Sequence, residues 1–130
     1  MGTTNFDKLD IDELNVAGVD VSAGVAAETG TYTVTAPAAI PAAIQYIELN
    51  HATGPVVKTI ATLVDHAGLL VIKDISATGT AAHTVTATVG TFNGTNNVAT
   101  LDALNECLVC WIDSAGNGTV LVNSGSVGLS

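Results

Sequence analysis

Two cysteines stand three residues apart in the run Cys107-Leu108-Val109-Cys110. Cysteine pairs at this spacing are typical of redox sites and of one half of a zinc site. A redox pair needs a helix N-terminus to lower the thiol pKa, whereas the apolar residues around this pair indicate a strand. Residues three apart in a strand point to opposite faces, so the two sulfur atoms cannot share a metal or bond to each other. We therefore expect two small buried side chains.

The three histidines, His51, His66 and His83, are too far apart in the chain to form a local metal-binding motif. One histidine per chain could still bind a metal or an anion on the threefold axis of a trimer. The simpler interpretation places each histidine in a loop or at the end of a strand. We predict no metal site.

Patterns that would indicate catalysis are weak. No Gly-x-Ser-x-Gly motif is present, and Ser124-Gly125-Ser126 indicates a turn. The carboxylates of Asp10, Asp12 and Glu13 lie in a segment without a core of its own, where a catalytic geometry would be hard to hold. The stretch 113–118 resembles a calcium loop, but its third position is an alanine and no bidentate glutamate follows. The sequence predicts no catalytic residue and no cofactor.

The balance of charges excludes two classes of partner. The chain has 130 residues with twelve acids, three lysines and no arginine, which gives a formal charge of −9. Binding to nucleic acid or to an anionic membrane surface requires clustered basic residues, so neither partner is expected. Charged residues make up 12% of the chain, about half the usual share. We expect either a surface of small polar residues or a surface partly hidden against other subunits. No signal peptide and no membrane span are predicted.

The first 28 residues differ from the rest of the chain. They hold six of the twelve acids, and their apolar residues mix helical and strand spacings. We predict an extended N-terminal arm over residues 1–28 and a β domain over residues 29–130. Ordering an arm without its own core requires a partner. We expect four apolar anchors to contact a neighbouring subunit: Phe6, Leu9, Ile11 and Leu14.

The remainder of the chain predicts short strands about ten residues apart, separated by turn signals. This pattern indicates an all-β fold, a compact antiparallel β-sandwich, prism or barrel with threonine on its outer faces. Asn117-Gly118 predicts a hairpin between the last two strands. Val56–Val64 is ambiguous between strand and helix, and Leu69–Asp74 predicts a strand that is buried on both faces. The predicted strands are Thr31–Thr35, Ile44–Leu49, Leu69–Asp74, His83–Val89, Val98–Leu101, Glu106–Ile112 and Thr119–Val122.

Two stretches resemble structural proteins of tailed bacteriophages. Residues 14–23 are similar to glycine- and valine-containing segments that are common in virion and fibre proteins. Residues 69–129 resemble a β module of head-decoration and tail-fibre proteins over about half of the chain. The segments that carry this resemblance are Leu70–Asp74, Thr84–Thr86, Gly90–Gly94, Val98–Leu101 and Leu108–Ser114.

The resemblance implies a homotrimer in the virion, made in the bacterial host cytoplasm, that decorates or cements the capsid. Its partners would be copies of itself and the major capsid protein, and it would not be an enzyme. The alternative is a tail- or head-fibre module that binds a host receptor or glycan. That function needs an exposed aromatic platform, for which Tyr32, Tyr46 and Trp111 are available, and we expect Trp111 in the core.

Overall fold

The computed structural model describes residues 15–16, 19–20, 28–33, 38–77 and 81–130. Within these residues the chain forms twelve strands and one short 3₁₀ helix at Leu63–His66. The predicted arm anchors Phe6, Leu9, Ile11 and Leu14 lie outside the described residues. The strands are β1 (Asn15–Val16), β2 (Val19–Asp20), β3 (Glu28–Tyr32), β4 (Ala38–Ala39), β5 (Ile44–Leu49), β6 (Val57–Ile60), β7 (Gly68–Asp74), β8 (His83–Ala87), β9 (Val98–Leu101), β10 (Cys107–Ile112), β11 (Gly118–Ser124) and β12 (Gly128–Leu129).

Ten of these strands form two five-stranded sheets that pack face to face. Sheet I has the strand order β11-β10-β7-β5-β3, and sheet II has the order β12-β9-β8-β6-β4. Strands β1 and β2 pair with each other. The predicted all-β sandwich is confirmed.

The pairing within the sheets is mixed, which corrects the prediction of an antiparallel fold. From β3 to β8 each successive strand joins the other sheet, so β3, β5 and β7 run parallel in sheet I. Strands β4, β6 and β8 likewise run parallel in sheet II, and the remaining pairs are antiparallel. When the chain crosses to the opposite sheet and back, the next strand in the first sheet runs in the same direction as the strand before it. Turn signals in the sequence do not reveal this alternation between sheets.

The core lies between the two sheets and is built by strand alternation. Inward residues at every second position are buried, and Phe92 fills the space beside one end of the sheets. Lys58 also points inward from β6, and its Nζ atom lies 5.9 Å from the centre of the Tyr32 ring, within reach of a cation–π contact. The core side chains include Ile47, Leu49, Ile60, Leu63, Leu70, Ile72, Val85, Leu101, Leu108, Cys110 and Ile112.

The ambiguous segment 56–64 contains both kinds of structure. Strand β6 ends at Ile60, and the 3₁₀ helix starts at Leu63. Thr62 separates the two elements because its hydroxyl accepts a hydrogen bond from the Val64 N–H at 3.3 Å, which caps the helix. The predicted hairpin of β10 and β11 is confirmed, with a five-residue loop at 113–117.

Two burial predictions are wrong. Strand β7 is not buried on both faces: Leu70 and Ile72 face the core, whereas Leu69 is 46% exposed. Trp111 is not a core residue either, since it is 53% exposed. It alternates with the buried Cys110 and Ile112, so strand geometry places it on the opposite face.

Candidate interaction surface

The face of sheet I that points away from sheet II carries a continuous apolar row. Tyr46 of β5 lies opposite Val71 of β7. Val71 lies opposite Val109 of β10, which lies opposite Val122 of β11. Tyr46, Val71 and Val109 alternate along their strands with residues of the core, which fixes the face on which they lie. Val122 lies on the same face because it pairs with Val109. Cross-strand neighbours in such a row are close enough to pack together.

A second row extends the apolar surface toward the end of the sandwich that holds the 3₁₀ helix. In this row Trp111 of β10 lies between Leu69 of β7 and Thr119 of β11. Leu121 is the extra residue at a β-bulge in β11, next to Val122, and these two side chains are 55% and 49% exposed. Large apolar side chains that cluster on one surface mark a site of contact with another molecule. We use the term apolar face for these two rows together with Leu121. The first row runs from Tyr46 to Val122, and the second runs from Leu69 through Trp111 to Thr119.

The third row of the same surface is polar and carries both signs of charge. Glu48 of β5 lies opposite Lys73 of β7, and Lys73 lies opposite Cys107 of β10. Thr31 of β3 donates a hydrogen bond from its hydroxyl to the Glu48 carboxylate at 2.6 Å. Ser124 of β11 ends the row opposite Cys107. The row thus gives the apolar face a polar rim whose two charges balance.

The outer face of sheet II has a different character. Thr59 of β6 lies opposite Thr86 of β8, and Thr84 lies opposite Thr100 of β9. These side chains are half-buried rather than exposed, and hydroxyl groups dominate the surface. The predicted threonine-rich outer face is therefore found on sheet II, whereas sheet I presents apolar groups. Only one of the two outer faces is suited to bury itself against a protein.

A buried polar network lies at the other end of the sandwich, where β7 ends and β8 begins. The Ser76 hydroxyl lies 3.0 Å from His83 Nε2, and the Ser76 N–H donates to Asp74 Oδ1 at 2.8 Å. His83 Nδ1 accepts a hydrogen bond from the Val56 N–H at 2.9 Å. The His51 N–H donates to the Ser76 hydroxyl at 3.0 Å. The side chains of Asp74 and His83 are fully buried.

The geometry of this network holds the fold together and is unsuited to nucleophilic catalysis. Because Nδ1 of His83 accepts a hydrogen bond, its ring proton sits on Nε2, which donates to the Ser76 hydroxyl and cannot take a proton from it. Asp74 Oδ1 lies 3.6 Å from the same Nε2 atom, so it does not orient the ring from the far side as a catalytic acid would. Burial lowers the pKa of His83; Asp74 opposes this shift and His51 adds to it.

Sequence analysis did not identify this network, although one signal was present. Asp74 continues the inward phase of Leu70 and Ile72, and His83 shares the phase of the buried Val85. A polar residue in phase with core residues must be buried and must find a hydrogen-bond partner. The pairing of these two strand ends depends on the tertiary fold.

The remaining candidate residues are not assembled into a site. Cys107 lies on the outer face of sheet I and Cys110 on the inner face, as strand spacing predicted. The expectation that both side chains are buried is wrong for Cys107, which is half-buried on the outer face. Burial raises the pKa of Cys110 to about 11, so its thiol stays protonated. The Asp113 carboxylate accepts hydrogen bonds from the N–H groups of Asn117 and Ala115, which lower its pKa and complete a turn.

In the part of the chain that the structure describes, no group of three or more histidine, cysteine or acidic side chains is placed to hold a metal ion. Over the same residues no helix has the length and apolar character needed to span a membrane. Comparisons with protein-family models, with curated proteins and with solved structures found no match.

Proposed function

We propose that this chain is a structural protein of a bacteriophage virion. In this proposal it associates with copies of itself, with a trimer favoured, and decorates or cements the capsid through contact with the major capsid protein. The observation that supports it best is the apolar face of sheet I, where Leu69, Trp111, Leu121 and Val122 are each about half exposed. A soluble protein that presents such a surface uses it to contact another protein.

Two further observations support an assembly role rather than a catalytic one. The His83 network consists of hydrogen bonds that stabilise the sandwich, and its histidine is oriented as a donor toward Ser76. Residues 69–129, which resemble phage decoration and fibre modules, run from β7 to β12 and so contribute strands to both sheets. A role that depends on shape and surface, without an enzyme site, fits these features.

The proposal gives the N-terminal arm a role in attachment. The apolar anchors Phe6, Leu9, Ile11 and Leu14 would contact a neighbouring subunit or the capsid protein. Burial of four such side chains could contribute several kcal/mol, at roughly 1.5–3 kcal/mol each before ordering costs. The acidic residues around them would favour a basic surface on the partner.

Co-sedimentation with capsids tests the proposal. The full chain is mixed with capsid shells of the phage that encodes it, and the bound fraction is measured after centrifugation. We expect saturable binding, and we expect a chain in which the four anchors are replaced by serine to remain in the supernatant. Absence of binding by the full chain would reject the decoration role.

A second function is favoured by the exposure of Trp111. A fibre module that binds a host receptor or glycan needs an accessible aromatic side chain, and Trp111 with its neighbour Leu69 offers one. Binding of the purified chain to host cells, lost in Trp111→Ala and absent with capsid shells, would favour this function over decoration.

A further inference from the structure

The apolar face of sheet I is suited to contact with a second copy of this chain. We infer that this face packs against the same face of a second copy of the chain. The inference rests on the proposed self-association and assigns the surface that carries it. Its occupant is a copy of this protein rather than the capsid protein.

The distribution of charge favours a copy as the occupant. The full chain carries a formal charge of −9, so two copies repel each other over most of their surfaces. On the outer side of sheet I, the described charged side chains are Glu48 and Lys73, which lie opposite each other on neighbouring strands. Over the described side chains this face is therefore neutral, and two copies can approach here without repulsion. Glu48 of one copy can also meet Lys73 of the other.

In the proposed decoration role, the capsid protein would contact other parts of the chain. An acidic protein without arginine attracts a basic surface through its acids, half of which lie in the predicted arm. A neutral apolar face offers no such attraction. It gains stability by removing apolar surface from water, which a matching apolar face provides.

The size of the face is adequate for this role. The whole outer side of sheet I, with its polar row, is five strands or about 24 Å wide and six residues or about 20 Å long, which gives a projected area of about 500 Å². Side chains that protrude from the sheet raise the accessible area above this value. Stable interfaces bury about 800 Å² per partner, so the sheet with its rim is close to the area that is needed.

The β11 edge strengthens the inference. Strand β11 ends sheet I and carries neither a charge nor a proline from Gly118 to Ser124. Exposed edge strands usually carry such residues or a β-bulge to prevent pairing between edges, and β11 has the bulge alone. Exposed Leu121 and Val122 at this edge are consistent with a surface that a second copy covers.

One pair of matched variants tests the inference in the full chain. Val122→Asp places a carboxylate in the apolar face. Val89→Asp makes the same change at a valine of similar exposure that lies in a loop outside both sheets. Molar mass is measured by light scattering at micromolar concentration. We expect the wild type and Val89→Asp near 26 kDa, twice the 13.0 kDa chain, because two identical faces in contact close a pair, and Val122→Asp near the monomer mass.

The expected loss in Val122→Asp is roughly 100-fold or more in the association constant, because a carboxylate would be buried without a partner. A wild-type mass of three chains would overturn the inference, because a trimer cannot be built from pairs of identical faces and would need another surface. A monomeric wild type, or a Val122→Asp variant that assembles as the wild type does, would overturn the inference. Capsid co-sedimentation is scored separately, so a monomer that still binds capsids rejects the self-association surface and leaves the decoration role standing.

The wild type supplies a second readout that does not depend on how the variant folds. Trp111 is the sole tryptophan and lies on the apolar face. We expect its fluorescence to shift to longer wavelength, and its quenching by iodide to increase, when the assembly is diluted until it dissociates. Equal quenching in the assembled and dissociated protein would overturn the inference.

Discussion

The buried His83 network predicts that acid weakens the fold. His83 is fully buried, and its Nδ1 atom accepts a hydrogen bond from the Val56 N–H. Burial lowers the pKa of His83, while Asp74 opposes and His51 reinforces the shift. A protonated ring would also place a second N–H against the Val56 donor. The folded protein therefore resists protonation more strongly than the unfolded chain does.

The sign and size of the effect follow from proton linkage. The unfolded histidine titrates near pH 6.5, above the pKa of His83 in the folded protein. Below pH 6.5 the unfolded chain takes up a proton that the folded chain does not, so the free energy of unfolding falls. The fall is about 1.4 kcal/mol per pH unit until the folded-state pKa is reached. Between about pH 6.5 and about pH 5 the loss is at most roughly 2 kcal/mol.

Urea unfolding followed by circular dichroism measures this loss in the wild type and in His83→Asn. The asparagine Oδ1 atom can take the place of Nδ1 as acceptor for the Val56 N–H, but the side chain does not titrate. We expect the variant to lose about 1 kcal/mol at pH 8, because the contact with Ser76 is removed. Its stability should then fall less steeply toward pH 5 than that of the wild type.

The difference between the two pH profiles isolates His83. His51 and His66 are present in both proteins, so their own contributions cancel, and only the interaction of His51 with His83 is removed together with His83. Protein concentration is held equal, because self-association would change the apparent stability. Parallel profiles for the wild type and His83→Asn would refute the assignment of acid sensitivity to this residue.

Three further predictions concern the core, the turns and the thiols. Phe92→Ala should lower the free energy of unfolding by roughly 3–5 kcal/mol in urea titrations, since Phe92 is fully buried; a loss below about 1 kcal/mol would contradict its place in the core. Gly90→Ala should lower the melting temperature more than Gly94→Ala. Both glycines have positive φ, but a Cβ at Gly90 would clash with the Gly116 backbone oxygen, whereas a Cβ at Gly94 meets nothing within 4 Å. Equal losses would contradict this reasoning. At pH 8 a maleimide should label Cys107 before Cys110, because the buried Cys110 has a pKa of about 11. Cys107→Ser should therefore remove the fast phase of labelling. Rapid labelling of that variant would show that Cys110 is accessible.

The sequence alone determined much of the local structure. Short runs of strand-forming residues between turn signals located β5 and β9 with their observed bounds, and a glycine-containing turn signal located the β10–β11 hairpin. Strand spacing also placed Cys107 and Cys110 on opposite faces. These features depend on neighbouring residues, and a pattern with a period of two contains the information that they require.

The tertiary structure decided which strands became neighbours. Chain crossing between the sheets made β5 and β7 parallel, a relation that no turn signal encodes. The tertiary fold also placed His83 beside Ser76 and Asp74. Alternation within each strand does not predict this contact, because the residues belong to different segments of the chain.

The tertiary structure also decided the role of Trp111. Alternation identifies two faces of a strand, but it does not say which face meets the second sheet. Cys110 and Ile112 took the core side of β10, so Trp111 faces outward beside Leu69. An apolar residue on an outward face stabilises one copy less than a core residue does, since water still reaches about half of the Trp111 side chain. The low charge of the sequence was compatible with a surface that other subunits cover. Only the packing of the two sheets showed which face could be that surface.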